Sequence, residues 1–201
     1  MKKNLFVSIS LLILLFSCKK DGIDLHKYPG LPDATQSGEN TMGCLINGKP
    51  WVAQKEGTTI GWHTFPIVDC FYGEYRKNIS NYDSLYFSIY SRMWLGKNVS
   101  EGRYNIEESL FINLQPINKT GKYFFKDLMK NKIEYWQDSI NRPIKIFELD
   151  PTRNSYIEIT KLDTFQNIIS GLFDLKLIEI DDKNDTIRIT NGRFDALYTP
   201  L

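Results

Sequence analysis

Between residues 84 and 91 apolar and polar side chains alternate without a break. Leu85, Phe87 and Ile89 take one parity, and Ser84, Tyr86, Ser88 and Tyr90 take the other. Successive side chains of a strand point to opposite faces, so this period builds a half-buried strand. The last third of the chain repeats the pattern. Residues 156–160 bury Ile157 and Ile159, and 168–180 form a long strand with Ile169, Phe173, Leu175 and Leu177 on one face. Gly171 shares that face and marks a bulge or a close backbone approach. Residues 181–185 make a turn, and 186–190 return with Ile187 and Ile189 inward. Asn191-Gly192 marks a bulge or tight turn before a closing strand at 193–198. Earlier strands are expected at 42–46, 51–54, 58–62, 67–72, 102–106 and 109–114. Asn47-Gly48 is a two-residue hairpin turn, because both residue types tolerate positive φ. Tyr and Phe are plentiful and alanine is scarce, which also favours strands. The expected fold class is all-β, an antiparallel β-sandwich or a partly open barrel.

One segment fits two periods. Phe125, Leu128, Met129, Ile133, Trp136 and Ile140 have amphipathic-helix spacing. No good cap precedes them, and Tyr135-Trp136 also suits a strand. One short helix near 125–140 stays open beside the strand.

The amino terminus carries an address. Lys2 and Lys3 precede an apolar run at 5–16, interrupted only by Ser8 and Ser10. Its length as a helix is roughly 18 Å, short of the about 20 residues that span a bilayer. It reads as a signal peptide rather than a permanent membrane anchor. The run ends in Leu15-Phe16-Ser17-Cys18, which resembles the lipobox of bacterial lipoproteins. The resemblance implies cleavage before Cys18 and acylation of that cysteine. Several acyl chains anchor stably where one is marginal. An ordinary secretory signal is the alternative. Lys19 follows the cysteine, and by analogy with lipoprotein sorting this leans toward the outer membrane, facing the periplasm or the outside. Residues 1–17 are then the signal peptide, 18–40 the lipidated cysteine and a polar tether, and 41–201 a single β domain.

Losing two lysines with the leader takes the formal charge from +1 to −1. A nearly neutral chain lacks a nucleic-acid footprint and a polybasic membrane patch. The expected partners are the membrane, through the lipid, and a protein or glycan. Cys44 and Cys70 remain, on the same parity as Met42, Ile46 and Val68. An oxidising compartment allows a disulfide between them. Two buried free thiols acting as small apolar residues are the other reading.

Catalytic motifs are hard to find. His26 lies in the tether. His63, beside Trp62 and Phe65, has only Asp69 as a nearby acid. No nucleophile elbow, phosphate loop or zinc-protease helix is present, and no catalytic residue, metal or cofactor is assigned. Glu107-Glu108 could serve as a carboxylate pair, but neighbours on a strand point to opposite faces. Asp181, Asp182 and Asp185 lack the ligand spacing of a calcium loop. Aromatic residues on polar faces are the candidate ligand contacts: Trp62, Tyr72, Tyr86, Tyr90 and Trp94. Ser84, Ser139 and Thr186 each follow an aspartate and precede an apolar residue. That pattern looks like the O-glycosylation acceptor of Bacteroidota proteins.

Four segments together resemble a known family. They are Cys44-Leu-Ile-Asn-Gly-Lys-Pro-Trp51, Ile159-Thr-Lys-Leu-Asp163, Ile168-Ile-Ser-Gly-Leu-Phe173 and Ile189-Thr-Asn-Gly-Arg-Phe-Asp195. In this order they look like a Bacteroidota family of small lipoproteins of unknown function. The resemblance covers roughly residues 42–198, is poor across 57–150, and carries no catalytic residue. It implies a structural role for Asn47, Gly48, Trp51, Phe173 and Phe194. The expected function is a non-enzymatic binding or interaction module of the cell envelope. A glycan-binding lipoprotein is one alternative, and an envelope hydrolase with an unrecognised site is another.

Overall fold

A computed structural model describes residues 30–55, 67–74, 85–98, 103–128 and 130–201. The described chain is almost entirely β, and its sheet curls into an open half-barrel. Thirteen strands are described: β1 (Thr41–Ile46), β2 (Lys49–Val52), β3 (Gln54–Lys55), β4 (Val68–Glu74), β5 (Leu85–Asn98), β6 (Arg103–Gln115), β7 (Gly121–Phe124), β8 (Lys130–Ser139), β9 (Lys145–Leu149), β10 (Tyr156–Asp163), β11 (Ile168–Glu179), β12 (Thr186–Leu197) and β13 (Thr199–Pro200). The main path through the sheet runs β13-β4-β5-β6-β8-β9-β11-β12-β1-β2, with β10 bridging β11 and β7. Two connections draw its ends together. β12 runs on into β13, which pairs with β4, and β2 runs on into β3, which pairs with β5. Curling lets inner-face residues of distant strands meet. Phe87 of β5 lies 5.6 Å from Phe194 of β12, and Trp51 of β2 lies 6.5 Å from Tyr135 of β8, ring centre to ring centre.

The alternation read from the sequence sets this inner face. Phe87 and Ile89, Leu110, Ile112 and Leu114, Ile157 and Ile159, and Leu175 and Leu177 are all buried. Several strands are longer than their sequence signals. The stretches at 102–106 and 109–114 are one strand, β6, and β5 continues past Ser91 to Asn98. The two closing strands are also one, β12, with a bulge at Asn191 (φ 51°) where the pairing with β11 and with β1 shifts register. Asn47 (φ 49°) and Gly48 (φ 81°) form the expected hairpin turn between β1 and β2.

Two expectations are corrected. The helix allowed at 125–140 does not form: a 3-10 turn at Phe125–Asp127 leads into β8. Ile133 and Tyr135, two residues apart, are both buried, whereas Trp136, which a helix would turn inward, is 40% exposed. Period two wins because β6 and β9 flank this segment and supply its backbone partners. The other concerns residues 30–40, expected as the end of a polar tether. Residues 30–40 form a strap fastened across β1 and β12. Asp195 accepts from the Thr35 hydroxyl (2.7 Å) and from the backbone N–H groups of Ser37, Gly38 and Glu39. The Arg193 guanidinium donates to the Pro32 carbonyl and Lys161 to the Gln36 carbonyl. The expected strand at 58–62 lies outside the described residues.

Candidate functional site

Three neighbouring strands, β5, β6 and β8, carry the candidate site on their outer face. Inner positions on β5 are Phe87, Ile89 and Met93, so Tyr86, Tyr90, Arg92 and Trp94 point outward. Register then brings three rows together: Tyr90, Phe111 and Glu134; Arg92, Ser109 and Trp136; Trp94, Glu107 and Asp138. The rings and the cation hold one another. The Arg92 guanidinium sits 4.0 Å from the Tyr90 ring centre and 6.0 Å from that of Trp94. Trp94 stacks on Tyr104 at 5.6 Å and 15° between planes. Tyr90 meets Phe111 edge-on at 6.2 Å. Cation–π and ring–ring contacts hold these side chains against one another. Tyr86, Tyr90, Arg92, Trp94, Tyr104 and Phe111 are all half-buried, and Trp136 is exposed.

Polar groups lie between the rings. The Trp136 indole N–H donates to Glu134 at 3.3 Å, and Lys132 pairs with Glu134 at 3.0 Å. Glu107 accepts from the Tyr104 backbone N–H, and the Asn113 amide donates to the Tyr86 hydroxyl. The surface therefore offers flat apolar rings spaced among fixed donors and acceptors. That combination suits ligands with both C–H faces and hydroxyls. An apolar row continues from Trp136 onto β9 and the residue that follows β11. Ile146 pairs with Trp136 across the sheet, and the Ile180 backbone N–H donates to the Ile146 carbonyl. Ile180 and Ile144 are exposed.

The structure sorts the residues expected from sequence. Tyr86, Tyr90 and Trp94 share this face. Tyr72 does not belong to it and is corrected: with Val68 and Cys70 it takes the inner parity of β4, 5% exposed. Its hydroxyl donates to the Ile117 carbonyl and its ring meets Tyr198. Trp62, His26, His63, Ser84 and Cys18 lie outside the described residues. Sequence reasoning missed Trp136, which the helical spacing assigned to an apolar face. It also missed Phe111 and Arg92, whose signal was their outward parity on long strands, and Tyr104, which joins the group only through its stack on Trp94.

The remaining candidates have other settings. The disulfide between Cys44 and Cys70 is not formed: both are buried free thiols, on β1 and β4. Cys44 faces Trp51 across the β1–β2 hairpin and Cys70 faces Ile89. Burial pushes both thiols up, so they stay protonated. Glu107 and Glu108 point to opposite faces, and Glu108 accepts from Tyr135 on the inner side. The backbone N–H groups of Asp181 and Asp182 donate to the Glu179 carboxylate, and Asp185 pairs with Lys145. Among the described residues no group of three metal-ligating side chains gathers. Thr186 is exposed at the start of β12, and Ser139 is half-buried at the end of β8.

Two of the four segments quoted from the sequence, 168–173 and 189–195, pack as one device. Gly171 pairs with Phe194 and Gly192 with Phe173 across β11 and β12, each ring lying over the opposite glycine. Beside them Ser170 donates to Asp195 at 2.7 Å. Comparison with protein-family models, curated proteins and solved structures gives no match.

Proposed function

We propose that this chain is a lipid-anchored cell-envelope lipoprotein whose β domain is a non-enzymatic binding module for glycans. The observation that carries the reading is the outer face of β5, β6 and β8, with rings held half-exposed by Arg92 and by one another among fixed polar groups. Sugar rings present C–H faces to aromatic planes and hydroxyls to neighbouring carboxylates and amides. The lipobox-like ending at Cys18 supports anchoring, and Lys19 supports the outer membrane. Acylated cysteine supplies location, and the β domain supplies recognition.

Calorimetric titration with a broad panel of envelope and dietary oligosaccharides tests the glycan reading. At least one glycan should bind, and Trp94→Ala and Trp136→Ala should each weaken it about tenfold or more, the loss expected for removing one stacking ring. Binding unaffected by both variants would place recognition elsewhere. A panel with no binder would favour a protein partner instead. The row Trp136, Ile146 and Ile180 supports that second reading, because protein interfaces mix aromatic and aliphatic side chains at their centres. The anchor has its own test. Cys18→Ser should release the protein from the membrane fraction, and a variant that lost only acyl mass while remaining membrane-bound would remove lipid as the cause of location.

A further inference from the structure

The rings on the outer face of β5, β6 and β8 stand among negative groups. Asp69 of β4 and Glu134 of β8 lie in the row of Tyr90, and Glu148 of β9 extends that row. Glu107 and Asp138 lie in the row of Trp94. All five point outward, because Cys70, Leu110, Tyr135 and Phe147 fix the inner parity of their strands. Glu148 is exposed and the other four are half-buried, so all can be reached from solvent.

Cations are fewer here. In the rows of Tyr90, Arg92 and Trp94, the outward positions of β4, β5, β6, β8 and β9 hold those five carboxylates and one cation, Arg92. The Arg92 guanidinium lies against the Tyr90 ring at 4.0 Å. Lys132 reaches in to Glu134 at 3.0 Å, and Lys183 to Glu148 at 3.4 Å. Five carboxylates against three cations leave the surroundings of the rings negative. An ionised carboxylate only accepts hydrogen bonds. It calls for a hydroxyl on a ligand and repels a second anion.

The rings also set a length. Trp94 of β5 and Trp136 of β8 stand two strands and two residues apart in register, roughly 12 Å between Cα atoms. A single sugar ring does not bridge that distance.

We propose, on the basis of the glycan-binding function given above, that this face takes an uncharged oligosaccharide long enough to lie on Trp94 and Trp136 together, and that it turns away acidic chains. The two indoles hold C–H faces of separate sugars. Glu107 and Glu134 accept from hydroxyls near them. Discrimination against acidic chains is electrostatic, so salt weakens it.

The test is an array of neutral hexose oligosaccharides of graded length, each beside a form whose hydroxymethyl groups are oxidised to carboxylates. The whole mature chain is applied at about 0.01 M and at about 1 M salt. Neutral chains should bind, with affinity rising about tenfold or more beyond the disaccharide, at the length where Trp94→Ala and Trp136→Ala both become damaging. Each oxidised form should bind about tenfold or more weakly than its neutral parent at low salt, and the gap should close at high salt. Glu107→Gln combined with Glu134→Gln should narrow the low-salt gap about threefold or more. The salt series decides the matter if that double variant does not fold. Oxidised chains bound as tightly as neutral ones at low salt, a gap that salt left untouched, or disaccharides bound as tightly as long chains would each overturn the proposal. Where the two tryptophan variants still weakened such binding, the glycan-binding function would survive. An array with no binder would remove that function and this inference together.

Discussion

Gly192 and Phe173 face each other on β11 and β12, and a methyl group on Gly192 would come within 2.3 Å of the Phe173 ring. Gly48 differs: nothing lies within 4 Å of its would-be methyl, and only its φ of +81° resists a side chain. The two glycines therefore fail for different reasons. Gly192→Ala should cost about 1–3 kcal/mol through overpacking. Urea denaturation should recover part of that cost when Phe173→Leu is added; an equal cost in both backgrounds would acquit the ring. The turn role of Asn47-Gly48 was readable from the sequence because it depends on two adjacent residues. A close approach at Gly171 and a bulge at Asn191-Gly192 were readable too, but the rings that lie over Gly171 and Gly192 were not, since each comes from the opposite strand. Tyr72 was misread for a different reason. It shares the parity of Val68 and Cys70, and all three are buried on the inner side of β4, so its polar hydroxyl was given too much weight against its parity.

The strap at 30–40 shows where composition misleads. Its glycines, prolines and polar residues resemble a tether, yet its backbone N–H groups converge on one buried carboxylate. Burial alone would raise the Asp195 carboxyl. The hydrogen bonds from Thr35, Ser170, Glu39 and Gly38 outweigh it and hold the group below the ordinary carboxylate value. The folded chain then releases this proton more readily than the unfolded chain, whose carboxyl titrates near about 3.9. The grip is complete above that value and is lost as pH falls through the lower folded one. A chain beginning at Gly30 should match the mature protein in urea midpoint at pH 7, while one beginning at Thr41 should unfold at lower urea. The gap should narrow below about pH 4. Equal midpoints at pH 7 would show that the strap contributes nothing to stability. The segment at 125–140 teaches a related lesson. Helical spacing existed in the residues, but the outcome lay with flanking strands distant in sequence.

The curled sheet separates its surfaces. Phe87 and Phe194 meet across the core, so β5 and β12 are opposing walls. The outer side of β12 is covered by the strap, whose first described residue, Gly30, lies against Pro50. The outer side of β5 carries the ladder of Tyr90, Arg92 and Trp94. From Cys18 to Gly30 the chain can span at most about 40 Å. In an anchored protein the attachment thus enters on one wall and the aromatic face lies on the other. The all-β class, the inner face and the outward placement of Tyr86 and Tyr90 were readable from alternation alone. The partnership of Arg92, Tyr104, Phe111 and Trp136 was not, because register between strands brings those residues together. The most direct measurement follows indole N–H signals as a binding oligosaccharide is added. Trp94 and Trp136 should shift together while Trp51, on the inner face, stays still. Saturable binding that moved Trp51 and left Trp94 and Trp136 unchanged would contradict recognition by the outer face.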